Sequence, residues 1–335
     1  MSQRAREFTG PPVPARPAAT VVLLRPHTDA QHDTAPHDTA PHDTAPHDTT
    51  PHDTTPDGSA PNSTGPSSTA PGSTVPGRTV PDGGRPGSYD PGSNGPGRAD
   101  PHDAGPDRPG SHRGAFQVYV LRRAATMAFG GLYAFPGGVV DPSDQPSTIR
   151  ADWPERLGVP EAEAHAVVGA AARELFEESG ILLAGPHAEP DRTITSTDSP
   201  EWEADRAAVQ ARTLSMTELL ARRDLRLRDD LLLPWARWVT PEFEPRRYDT
   251  WFFVALLPEA QSARDVSGEA TATAWISPAD TSLPMLPPTR RTLAEIAALP
   301  DIPEVVAASA HRDAATPLTP RIEVTPSGEV QLQLP

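Results

Sequence analysis

The chain has 335 residues, a formal net charge of −16, 43 prolines and no cysteine. That length allows one or two domains, the missing cysteine excludes disulfides, thiol nucleophiles and thiolate metal sites, and the negative charge argues against general affinity for nucleic acid or anionic membranes. No apolar run approaches the roughly 18 residues of a membrane span, residues 1–20 lack the apolar stretch of a secretory signal, and Gln333-Leu334-Pro335 does not resemble a peroxisomal address, so a cytoplasmic protein is expected.

Residues 1–17 are polar and Pro-rich, which predicts a flexible leader. Residues 19–25 contain Val21, Val22, Leu23 and Leu24 and read as a buried strand. The composition then changes. From His27 to Gly114, 88 residues include no Leu, Ile, Phe, Trp, Met or Glu, and prolines recur at every fifth position from Pro36 to Pro106. The first units read His-Asp-Thr-Ala/Thr-Pro. Such a segment cannot bury enough apolar surface to offset its ordering entropy and reads as a disordered, low-complexity insert spanning 27–114. Its imidazoles could bind transition metals; expansion of a tandem repeat where folding imposes no constraint is the favoured reading. Phe116, Val118 and Val120 alternate with their neighbours as in a strand. This strand is expected to pair with 19–25, so that 18–26 and 115–335 form one domain and the insert is its hairpin loop. Closing 88 residues rather than about five costs only about 2–3 kcal/mol.

Next come Phe135-Pro136-Gly137-Gly138, where two glycines let backbone approach a phosphate or metal closely. Residues 161–179 form a helix with Val168, Ala171, Ala172, Leu175 and Phe176 on one face and Gly180 as a left-handed cap. On that helix Glu174, Glu177 and Glu178 share a side. Like charges so placed destabilise a helix by roughly 0.2–0.5 kcal/mol per pair, and Arg173 offsets only Glu177, at i,i+4. A hard divalent cation that bridges carboxylates to substrate phosphates accounts for the cluster; a solvated acidic face is the bland alternative. Residues 181–184 read as a short strand. Helices are expected after Ser199-Pro200 and after Ser215, which with Glu218 forms a capping box. Strands follow at 235–240, 248–257 and 270–276, helices at 289–299 and 303–310, and a closing hairpin at 321–324 and 330–334. The aromatic run Trp251-Phe252-Phe253 reads as core.

Arg173-Glu174-Leu175-x-Glu177-Glu178-x-Gly180-Ile181 fills every defined place in the second half of a Nudix box, which this chain therefore resembles. Gly138 matches the leading glycine. Asp144 stands where the pattern has Glu, and 28 residues instead of seven separate it from Arg173. Further stretches (Phe135 to Asp144, Trp238-Val239-Thr240-Pro241, Arg247 to Phe253, Leu286-Pro287-Pro288-Thr289) resemble the acyl-coenzyme A diphosphatase branch. Its upstream signature is met at Arg122, Arg123 and Gly131 but not at Met127. The resemblance implies an α/β fold, a Nudix α/β/α sandwich with a mixed sheet and a loop-helix-loop site, and metal-dependent hydrolysis of a small-molecule diphosphate of coenzyme A type. It implies Mg2+ or Mn2+ held by Glu174, Glu178, Glu177 and the carbonyl of Gly138, with Arg173 orienting the carboxylates. Glu269, ahead of Trp275, is implied as base, so that Glu174, Glu177, Glu269 and Arg173 form the catalytic set. Arg122, Arg123, Arg246 and Arg247 are candidates for the substrate phosphates, because guanidinium suits bidentate phosphate contacts. Two alternatives stand beside this: the same chemistry on NADH, ADP-ribose or another nucleotide, and a non-catalytic binding module of the same fold.

Overall fold

Strand β1 (Arg16–Pro26) is apolar along its middle and shielded on both faces, which makes it the centre of the sheet. The computed structural model describes residues 10–27, 115–127, 129–324 and 330–333. The repeat from 28 to 114 and the turn of the closing hairpin lie outside them.

Period-two alternation assigns the strand's two faces. Ala19, Val21 and Leu23 pack into one core with Trp251, Phe253 and Ala255, and Val22 and Leu24 into a second with Phe252 and Val254. The latter residues belong to β8 (Tyr248–Leu256), which runs parallel to β1 from Arg16↔Tyr248 to Leu24↔Leu256. The first core is covered by α1 (Trp153–Leu157), α2 (Glu161–Ser179), α3 (Pro200–Gln210) and α4 (Met216–Arg222). The second is covered by α5 (Pro287–Ala297) and α6 (Ile302–Ser309). The result is the expected α/β/α sandwich around a mixed sheet. The helix over 161–179, its Gly180 cap at φ 74°, the Ser199 N-cap and the Ser215–Glu218 capping box all form as the sequence predicts.

The other edge of β1 is divided. Strand β2 (Phe116–Arg123) pairs with it antiparallel only from Leu24↔Val118 to Pro26↔Phe116. It then diverges to pair with β9 (Ala270–Ile276) and with β3 (Tyr133–Ala134). At its other end β1 pairs with β4 (Gly137–Val139). The chain from 133 to 139 therefore crosses the gap between the two central strands. The Val21 N–H and the Thr20 hydroxyl both donate to the Pro136 carbonyl, at 2.9 and 2.7 Å. β7 (Leu233–Val239) and β10 (Pro317–Leu318) extend the sheet beyond β8.

The extra residues between Asp144 and Arg173 build α1 and the first turns of α2. Trp153 is fully buried and anchors this addition: its indole N–H donates to Asp229 at 2.7 Å, and its ring meets Phe253 edge-on at 5.8 Å. Gly169 lets α2 lie against the preceding loop, because a Cβ there would stand 2.9 Å from Pro146 and 3.1 Å from the Asp144 carbonyl. One element differs from expectation. Residues 181–183 form no strand; β5 is Ala184–Pro186, paired with β6 (Leu225–Leu227). The Gln261 amide satisfies Leu182, accepting from its N–H and donating to its carbonyl, both at 3.0 Å, and the Leu183 carbonyl accepts from the Arg228 N–H just past β6 at 2.9 Å.

The crossing segment leaves no room for side chains at its double glycine. A Cβ on Gly137 would lie 2.6 Å from the Ala19 carbonyl, a backbone atom that cannot swing away. Gly137→Ala is expected to cost about 1–3 kcal/mol, read as a lower urea midpoint at unchanged m-value.

Candidate active site

Arg173 is 1% exposed and joins three pieces of backbone. Its Nε and Nη2 donate to both oxygens of Asp144, at 2.7 and 2.9 Å, in a bidentate pair. Nη2 also donates to the Val139 carbonyl at 2.9 Å, and Nη1 to Glu174 at 2.6 Å and Glu177 at 3.2 Å. Burial opposes its charge, yet the Asp144 hydrogen bonds and the Glu174 and Glu177 charges hold its pKa above the ordinary arginine value. The Asp at 144, one methylene shorter than the Glu of the pattern, reaches because Gly169 brings the helix close. Its turn is closed by the Asp141 N–H, which donates to the second Asp144 oxygen at 2.7 Å.

Glu174 and Glu178 face the double-glycine turn. Glu178 accepts from the Gly137 N–H at 2.7 Å, and the Glu174 carboxylate fills the place a Cβ on Gly138 would take, at 2.4 Å. Burial pushes the Glu174 pKa up to about 7. Glu178 is raised well above the usual value, by burial first and then by Glu174. Two carboxylates side by side are hard oxygen donors of the kind that Mg2+ or Mn2+ takes, and they would bind it deprotonated. Glu177 stands apart from the other two in its partners. Its carboxylate lies between the guanidinium groups of Arg173 and Arg212, and among the described residues no three His, Cys, Asp or Glu side chains are grouped to hold a metal.

A cleft of about 270 Å³ opens beside the glycines, lined by Phe135, Trp238, Tyr248, Phe252 and the Leu286-Pro287-Pro288-Thr289 stretch. Of the four substrate arginines predicted, only Arg123 lines it. Arg123 and Glu269 both act on the charge of Glu178, because β2 pairs with β9 at Arg123↔Ala270 and the Ala124 N–H donates to the Glu269 carbonyl at 2.8 Å. Arg122 instead donates to the Gly131 carbonyl at 3.3 Å. Arg247 donates to the carbonyls of Thr240 and Val13, at 3.0 and 2.8 Å, and so fastens the β7–β8 loop to the chain ahead of β1. Arg246 is exposed on that loop, outside the cleft lining. Arg212 and the lining aromatics Tyr248 and Phe252 escaped the sequence reading. Phe252, core by its sequence pattern, is both core and cleft wall.

An ionised Glu178 is buried, accepts from the neutral Gly137 N–H and is repelled by Glu174 and Glu269, with Arg123 opposing them in part. Glu178→Gln keeps that hydrogen bond and removes the charge. Relieving a penalty of roughly 1–3 kcal/mol is expected to raise the Tm of metal-free protein at pH 8 by about 2–10 °C. The gain shrinks as pH falls, because a carboxyl of raised pKa takes up its proton in the wild type. Arg173→Met is expected to cost about 3–5 kcal/mol, because it leaves buried Asp144 without its guanidinium and takes one partner each from Glu174 and Glu177; chemical denaturation measures it.

Residues 156–284 match the family described as the NUDT19 Nudix domain. Among curated proteins the chain is 28% identical over 163 residues to a putative nudix hydrolase 7 of Caenorhabditis elegans, covering 48% of this chain and 47% of that one. It is 27% identical over 239 residues to the Homo sapiens acyl-coenzyme A diphosphatase NUDT19, covering 56% and 63%. The matches thus span between about half and just under two thirds of these relatives. The crystal structure of a NUDIX hydrolase from Alicyclobacillus acidocaldarius superposes with a TM-score of 0.52 at 21% identity, covering 88% of this chain and 96% of that one. With the box half on α2 and its glycine turn on β4, the chain shares the fold of a solved NUDIX hydrolase and is similar to Nudix hydrolases over residues 156–284.

Proposed function

We propose that the protein hydrolyses a diphosphate linkage with the help of Mg2+ or Mn2+, and that its substrate is coenzyme A or an acyl-coenzyme A. The observation that carries the reaction class is the placement of Glu174 and Glu178 against Gly137-Gly138 at the edge of a cleft. In this reading water adds to one phosphorus and the P–O–P bridge breaks. The products are 4′-phosphopantetheine, or its acyl form, and 3′,5′-ADP. Glu174, Glu178 and the Gly138 carbonyl would hold the cation, which screens the diphosphate charge and makes water more acidic. Glu269 accepts the proton that the attacking water gives up. Arg173 fixes the carboxylates from behind, and Arg123 meets a phosphate oxygen at the mouth of the cleft. The apolar walls, Phe135, Trp238, Tyr248 and Phe252, suit a substrate with a long non-ionic arm beside its phosphates. Together with the name carried by the human relative, this favours an acyl-coenzyme A over a free nucleotide.

The test is a panel of coenzyme A, acetyl-coenzyme A, longer acyl-coenzyme A species, NADH and ADP-ribose with Mn2+, with the products identified. Release of 3′,5′-ADP from the coenzyme A members at the highest kcat/KM is expected. Cleavage of NADH or ADP-ribose alone overturns the substrate, and cleavage of none overturns the reaction. Glu178→Gln is expected to abolish turnover. Glu269→Gln is expected to lower kcat by about 10²–10⁴-fold, the span of general-base catalysis.

A further inference from the structure

Arg212 occupies a position that the local backbone reserves for another residue. Helix α3 ends at its cap Ala211, and the next residue, Arg212, has φ +59°. Its N–H donates to the Val209 carbonyl at 3.0 Å, and the Thr213 N–H reaches back to Ala208 at 3.0 Å. That pair of bonds is the Schellman closure, whose left-handed residue is ordinarily glycine because it has no Cβ to clash. A long side chain kept where glycine is preferred points to a task for that side chain. The guanidinium extends to the carboxylate cluster of α2. Nη1 is bonded to Glu177, Nη2 is 4.0 Å from Glu174, and Nε is 3.8 Å from Asp141. Arg173 also serves Glu174 and Glu177 but is sealed in; the Arg212 side chain is 39% exposed and enters the cluster from the solvent side.

We propose that Arg212 is the resident counter-cation of this cluster: it draws Glu177 out of the metal-ligand set and sets, by charge repulsion, how tightly Glu174 and Glu178 take a divalent cation. The inference rests on the reading of those two carboxylates as metal ligands. It goes further in assigning to a residue outside the box the control of metal affinity. A positive charge a few ångströms from a divalent ion opposes its binding even at a high effective dielectric.

Arg212→Gly removes the charge and also gives the helix end its preferred residue, so the variant should fold. Arg212→Lys keeps the charge. Mn2+ binding to metal-free protein, followed by the EPR signal of free Mn2+, is expected to tighten about tenfold in Arg212→Gly and to stay within about twofold of wild type in Arg212→Lys. Adding Glu177→Gln to Arg212→Gly restores the charge balance and is expected to return affinity toward wild type. Unchanged or weakened binding in Arg212→Gly overturns the proposal, since a purely structural anchor would weaken it. The turnover panel reads the metal-ligand assignment separately. A wild type that cleaves diphosphates while Arg212→Gly binds Mn2+ no better refutes the role of Arg212 and leaves that assignment standing. Absence of Mn2+ binding in every form refutes both.

Discussion

The buried guanidinium of Arg173 is the interaction on which the site depends. It bonds to a carbonyl of β4, to both oxygens of Asp144 in the turn that follows, and to two carboxylates on its own helix. Two neighbouring stretches, at Val139 and Asp144, thus meet a helix residue 34 and 29 positions further on through one planar, always-charged group. Lysine could not do this, because a point charge with three rotatable donors lacks the fork that grips a carboxylate and a carbonyl together. Desolvating so many charges is expensive. The cost is offset only because nearly every donor has a partner, which also fixes the distance between the glycine turn and the helix.

That turn exists because the central strands part. β1 gives one whole edge to β8 and divides the other between β2 and β4. A segment crossing a split in a sheet cannot complete a regular ladder. Here its backbone is satisfied instead by Val21 and the Thr20 hydroxyl. The glycines at the crossing are steric necessities on both sides, with β1 behind Gly137 and the Glu174 carboxylate before Gly138. The same crowding that demands glycine brings backbone N–H and carbonyl groups to the carboxylates.

Much of this was legible from local rules. The helix over 161–179, its cap and two later N-caps follow from periodicity and capping chemistry, and the strand pairing across the long insert follows from the cheapness of loop closure. What was not legible depended on distant partners. Residues 181–183 have strand-like composition, but Leu182 finds its hydrogen bonds in the Gln261 side chain rather than in a ladder. The four arginines looked alike in sequence and separated only by where β2 and the β7–β8 loop point them. Arg212 carried one local clue, a helix ending without the usual glycine, and a sequence cannot show which carboxylate a side chain reaches.

The charges of the site are divided in a way that bears on what it can do. Asp144 is held by one guanidinium and Glu177 by two, Glu174 shares Arg173, and Glu178 accepts from a backbone N–H within the fields of Arg123 and Glu269. Neutralisation therefore falls off along α2 toward the glycine turn, where the chain leaves acids that burial and mutual repulsion keep from ionising freely. A fold selected for stability alone would replace Glu178 by a neutral residue, since a buried carboxylate without a cation is a standing penalty. Its presence at the end of that gradient, beside the mouth of an apolar cleft, therefore calls for a role other than stability.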